Sequence, residues 1–294
     1  MRVTDSMIQT NANLALQMDK QQMAQAQTQV STGLKYTSFA DDPLAQSSVM
    51  QTSTQLDALT QYQRNVNDAT ARATAEDSVL QNLTAVLTRA TAIATQEGSA
   101  TSSAANRLAA KAEVDNLLST AVAAGNTQYQ GTYLFGGDNA TTAPVTTTPP
   151  FYTGAAAPSG DHSTLIGAGQ LFKSNHNATD LLLNTGTLQS LQDLSTALGN
   201  NDQTAIGSAL TSITNAQNAT QAVVGDLGAR ENQLQVTSSN ITAVQSSLNA
   251  FKSSLSNVDA AQAATDLVTR QTAYQSAMLA TSKVLGLTLT DYLK

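Results

Sequence analysis

The sequence predicts a mainly α protein: a long antiparallel helical bundle or coiled coil formed by both termini, with a small β-rich middle domain. Three observations predict it. Before residue 126 and after residue 186, apolar residues recur at gaps of three, four and seven, the spacing of a helix face or a coiled-coil seam. Between those limits that period disappears, and four of the five prolines, both histidines and a cluster of aromatics take its place. The outline is also symmetrical, with a weakly apolar helix at each end and strongly patterned helices inside. These textures divide the chain at 1–43, 44–125, 126–186, 187–256 and 257–294.

Taken in order, Val3, Met7, Leu14 and Met18 share one helix face before the chain drifts into a Gln-rich, weakly patterned stretch at 21–29. So thin an apolar face makes an amphipathic helix that is unstable alone. After a pause at 31–43, Leu56, Leu59, Val66, Ala73, Leu80, Leu83, Leu87 and Ala90 keep a near-heptad rhythm, which predicts one long helix from Leu44 to about Gln96. Gly98 and the run Ser99–Ser103 end it. A further helix over about 104–124 carries Leu108, Leu117, Leu118 and Val122 and stops at Gly125. In the middle, short runs such as TYLF and STLIG between Gly, Pro and Asn clusters predict strands. Helical texture resumes near Leu188. The clearest seam follows: Leu227, Leu234, Ile241, Val244, Leu248, Phe251, Leu255 and Val258. These are candidate core or subunit-interface positions. Beyond a break near Ser256–Asn257, Leu267, Tyr274, Met278, Leu285, Leu289 and Tyr292 mark a second amphipathic helix. The two end helices are expected to pair with each other and with copies in other chains.

The pause reads STGLKYTSFADDPLAQSS. Asp41 and Asp42 admit two readings, a carboxylate pair with a chemical task or the punctuation of a corner. Gly33 suits a helix stop in the left-handed conformation. Asp42 suits an N-cap, and Pro43 the first turn of the next helix. Tyr36 and Phe39 are placed to pin the connection to neighbouring helices. No histidine, metal motif or further acid stands near the pair in sequence, so the corner is the better reading.

Composition narrows the function. Charged residues make up 12% of the chain, about half the usual share, while 41% is hydrophobic. Ala, Ser, Thr, Asn and Gln replace the missing charge, and they can sit against a neighbouring subunit without the cost of burying an ion. That balance suits a polymerising protein. A net charge of −7 without a basic run argues against nucleic-acid binding. The absence of cysteine excludes disulfides, thiolate catalysis and Cys-ligated metal. No window approaches a membrane span, and the N-terminus lacks the apolar centre of a cleaved signal peptide.

The remaining candidate sites are weak. His162 and His176, with Asp161 and Asp180, match no metal-ligand spacing and read as surface loop residues. Gly167-Ala168-Gly169 lacks the preceding strand and third glycine of a nucleotide loop. Sequons at Asn82, Asn139, Asn177, Asn218 and Asn240 read as chance matches in an Asn/Thr-rich chain. No HExxH, GxSxG or P-loop pattern occurs. No catalytic, cofactor or metal residue is assigned.

Three stretches carry a resemblance: QVSTGLKYTSFADDPLAQSS at 29–48, GTYLFGG at 131–137, and VDAAQAATDLVTRQTAYQSAMLATSKVLGLTLTDYL at 258–293. In this order and spacing they resemble the bacterial flagellin family, and within it the subunits that join hook to filament. Ordinary flagellins have a form like D-D-A-A-G where this chain has Asp41-Asp42-Pro43-Leu44. The resemblance implies a structural subunit exported unfolded, without a cleaved signal peptide, to the extracellular flagellum. It implies an inner tube built from 1–43 and 257–294, a shell of 44–125 and 187–256, and an outer domain at 126–186. The implied partners are a hook-side junction protein, flagellin, and further copies of itself in a ring or single helical layer. The export apparatus and an export chaperone at the C-terminal helix complete them. Other readings stay open: a filament subunit, a coiled-coil stalk presenting a surface-binding middle domain, or an enzyme domain carried in the middle. The last needs a catalytic constellation that 126–186 lacks. The abrupt change of texture predicts that residues 140–180 are a replaceable module.

Overall fold

The computed structural model describes residues 5–152, 154 and 156–292, in six α-helices, two small hairpins and a π-helical turn. Helix α1 spans Asp5–Thr32 and ends where Gly33 takes φ +71° and donates its N–H to Gln29 O. Helix α2, Pro43–Glu97, runs without interruption, as its near-heptad rhythm predicts. Helix α3, Ala104–Gly125, begins at Ser103, whose Oγ accepts from Asn106 N–H at 3.2 Å. Helix α4, Thr187–Gly199, starts from Gly186 at φ +72°. Helix α5, Gln203–Ser256, opens on Asp202, whose carboxylate accepts from Thr204 and Ala205 N–H. Helix α6 covers Ala260–Tyr292. The break between α4 and α5 at residues 200–202 is absent from the sequence reading. It is local, since Asn201 stands at φ +53° and turns the chain within three residues.

The middle holds less strand than its texture predicts. Strands β1, Gln128–Tyr129, and β2, Thr132–Tyr133, form a two-residue hairpin whose turn, Gln130-Gly131, has positive φ at both positions. Strands β3, Ser163–Gly167, and β4, Gln170–Lys173, form a second antiparallel hairpin with a bulge between Leu165 and Gly167. A π-helical turn covers Thr179–Leu183. Loops fill the remainder.

The chain divides into two compact units, one of residues 59–242 and one of the described residues up to 58 and from 243 on. In the first, α2 contributes Leu80, Leu83 and Leu87, α3 Val114 and Leu118, α4 Leu188, Leu191 and Leu194, and α5 Ile206 and Ile213 to one buried core. Helices α3 and α4 run antiparallel, with Asp115 accepting from Ser195. Val145, Phe151 and Ala178 belong to this same core, and Gly125 carries no side chain because one would strike Leu182 and Val145. A second cluster seats Ile166 and Phe172 of the β3–β4 hairpin on Val66, Ala69, Leu234 and Ile241. Here the structure departs from the replaceable module expected at 140–180. Those residues supply apolar side chains that the helices bury, which periodicity within the helices does not reveal.

In the other unit α1 packs antiparallel on α6, with Gln22 against Arg270. The pairing predicted for the two ends is thus present within one chain.

Candidate assembly surface

Among the described residues of helices α1 and α6, the buried side chains are Ala26 and Ala263. Alanines at the contact let the helices approach closely and release little apolar area. The predicted packing residues face elsewhere: Met7, Leu14, Met18 and Met278 are each at least half exposed, while Leu267 and Tyr274 are half-buried. Val268 and Leu279 add to the exposed apolar set. Val3 lies outside the described residues, and for Leu285, Leu289 and Tyr292 only the helical backbone is described. Met7, Leu14, Met18 and Met278 therefore stand largely outside the intrachain contact.

The seam splits along its length. Leu227, Leu234 and Ile241 are buried in the 59–242 unit. Leu248, Leu255 and Val258 are half-buried, and Val244 and Phe251 are 47% and 50% exposed. A heptad register says which positions share a face and not where a partner helix covers them. For the lone chain, the core assignment of Val244 and Phe251 is thus corrected.

The corner between α1 and α2 is built by its own carboxylates. Asp42 Oδ1 accepts from Leu44 and Ala45 N–H at 3.1 and 2.9 Å, with Pro43 in the first turn where its missing N–H is harmless. Asp41 Oδ2 accepts from Thr37 and Ser38 N–H at 3.1 and 3.0 Å. Both acids are occupied by backbone donors. Tyr36 is half-buried, but Phe39 is exposed and pins nothing within the chain. The corner is fastened instead by main chain. Lys35 N–H donates to Ser256 O at 2.7 Å, Val258 N–H to Gly33 O at 2.9 Å, and Lys35 Nζ to Ser254 O at 2.8 Å. That second turn, between α5 and α6, has its own cap in Asp259, which accepts from Ala261 and Gln262 N–H. The union of the two corners spans more than 200 positions and has no local signal.

Charged groups inside the 59–242 unit escaped the sequence reading. Arg107 is buried, and its guanidinium donates to Glu97 O, Ser99 O and Asn201 Oδ1, tying the α2–α3 turn to the α4–α5 turn. His176 is buried and is not the surface loop residue its polar neighbours suggest. Its Nδ1 meets Glu76 and its Nε2 lies 3.0 Å from Asp226 Oδ2, which also accepts from Arg230 Nε at 2.6 Å. The two carboxylates hold opposite ring nitrogens and so cannot share an ion with the ring. Burial pulls down the imidazolium's pKa, but the hydrogen bond and charge of Glu76 outweigh it and the net direction is upward. Burial pushes Asp226 up, but Arg230 and His176 hold it below the usual carboxylate range. His162 is exposed, with Nδ1 3.1 Å from Ser174 Oγ, and Lys173 pairs with Asp161 at 2.5 Å. Among the described residues no His, Asp and Glu cluster suited to a metal occurs, and no helix is long and apolar enough to cross a membrane.

The chain matches the bacterial flagellin N-terminal helical region over residues 3–140 and the bacterial flagellin C-terminal helical region over residues 204–293. No curated protein sequence matches it. Among solved structures, a candidate flagellar hook-associated protein from Vibrio parahaemolyticus is 18% identical at TM-score 0.67, over 74% of this chain and 100% of that one. FlgL of Bacillus cereus is 25% identical at TM-score 0.60, over 68% and 97%. The flagellar junction protein FlgL from Legionella pneumophila is 15% identical at TM-score 0.59, over 71% and 99%.

Proposed function

Because the chain belongs to the bacterial flagellin family, we propose that it is a structural subunit of the flagellum that joins hook to filament. One observation carries the reading. Helices α1 and α6 pair with Ala26 and Ala263 buried and turn Met7, Leu14, Met18, Val268, Met278 and Leu279 to the outside. Such a set on a paired helical element marks a surface for other chains. Completing the burial of each half-exposed side chain contributes roughly 1 kcal/mol. The likeness to hook-associated and junction proteins, whose chains are spanned almost end to end, favours the joint over the filament. So does Asp42-Pro43-Leu44 at a corner where flagellins carry a different sequence.

In this reading 1–43 and 257–294 form the inner tube, 44–125 and 187–256 the shell, and 126–186 the part carried outside. The subunit acts by assembly rather than catalysis. It takes a hook-side junction protein on one side and flagellin on the other, with copies of itself completing one layer. It reaches the cell exterior through the flagellar export apparatus, its C-terminal helix escorted by an export chaperone. A filament subunit forms open-ended contacts with its own copies, whereas a junction subunit completes one layer. The deletion strain tests this. It should keep the hook, lose the filament and release flagellin monomers, and the purified protein should not grow long filaments even with seeds or precipitating salt. Long filaments of the purified protein would assign it to the filament instead.

A further inference from the structure

The 59–242 unit buries an ionisable network that assembly leaves unused. Residues 173–178 run from β4 toward the π-helical turn and carry the ring of His176 to a position between α2 and α5. We propose that His176, held as an imidazolium between Glu76 and Asp226, is a protonation-dependent latch. It fastens residues 173–178 to α2 and α5, and it opens as the solution becomes alkaline.

The geometry suits a charged ring. Carboxylates stand at both ring nitrogens, and only the doubly protonated imidazole donates at both. Loss of one proton removes one of these two bonds: the neutral ring keeps its Nδ1–H on Glu76 and lets go of Asp226, which Arg230 Nε still holds at 2.6 Å. Glu76 is 2% exposed and water cannot replace the bond there, so that bond is retained and the tie to Asp226 on α5 is the one that opens. The charged groups facing the ring are Glu76 on α2 and Asp226 and Arg230 on α5, and Arg72 on α2 acts on Glu76. On its own segment Lys173 is committed to Asp161 and Asp180. Arg230 also donates to Lys173 O and Asn175 O, bonds that do not titrate with the ring. The latch therefore governs the stretch beyond them, where buried Ala178 donates its N–H to Phe135 O at 2.9 Å.

The sign follows from the raised folded-state pKa. The stabilisation is complete below the ordinary histidine value of 6.5 and is lost as pH rises through the higher folded value.

The chain has two histidines, so His162→Gln leaves His176 as the sole imidazole to follow by NMR in the full chain. Its ring should titrate above 6.5. Hydrogen exchange supplies the second measurement. After correction for intrinsic rates, protection of the Ala178 amide relative to Val114 in α3 should fall as pH rises. The slope should be at most about tenfold per pH unit, the limit for one linked proton. In His176→Gln that ratio should not depend on pH. A ring titrating at or below the ordinary value, or the same pH dependence in His176→Gln, overturns the proposal. Should His176→Gln not fold, the ring titration decides alone.

Discussion

Arg107→Ala should be among the most damaging single polar substitutions in the 59–242 unit. The side chain is 5% exposed, and its three donors end on Glu97 O and Ser99 O, both at 3.0 Å, and Asn201 Oδ1 at 2.7 Å. Glu97 is the last residue of α2, where the helix itself offers its carbonyl no donor, and Ser99, in the turn beyond, also accepts from Ser102 N–H. The third belongs to a residue held at φ +53°. Of the three acceptors Glu97 is buried, while Ser99 and Asn201 are exposed and turn to water, so one unpaired buried carbonyl and the lost packing of the arginine stem cost roughly 2–3 kcal/mol. For a unit of this size that corresponds to a fall in Tm of roughly 5–10 °C. The control is Arg89→Ala, which removes a two-pronged bond to Glu113 from the surface, where solvent screening leaves no measurable loss. Arg107→Lys should fall between them, because an ammonium lacks the fork that reaches three acceptors. Thermal unfolding followed by circular dichroism ranks the three. An Arg107→Ala protein that melts no lower than Arg89→Ala would refute the assignment of this side chain as the tie between the two turns.

Leu234→Ala should cost roughly 2–5 kcal/mol by urea unfolding, as for a fully buried leucine. Phe251→Ala, half exposed, should cost clearly less, and an equal loss would mean that Phe251 is covered in the monomer. Asp42→Ala should lower stability by about 1 kcal/mol and Asp42→Asn by much less, since the amide oxygen still accepts from Leu44 and Ala45 N–H. In the free monomer, amides across 5–25 and 265–290 should exchange readily, because among the described residues of α1 and α6 the buried side chains are Ala26 and Ala263. Strong protection there would contradict the reading that these helices are stabilised by assembly.

By itself the sequence determined what depends on neighbours a few residues apart. The stop at Gly33, the cap at Asp42, Pro43 in the first turn and the helix period to Glu97 are all bonds or faces closed within one or two turns. Their residue types report them directly. Heptad spacing likewise determined that Leu227 to Val258 share a face. Tertiary structure alone decided where that face is covered: Leu234 meets Val66 and Phe172 across the fold, while Phe251 meets little of its own chain. It also decided the identity of His176, whose partners Glu76 and Asp226 stand 100 and 50 positions away, and the joining of the corner at Lys35 to Ser256. The physical reason is the same in each case. Burial and pairing of a side chain depend on what folding brings beside it, and distance along the chain carries no record of that.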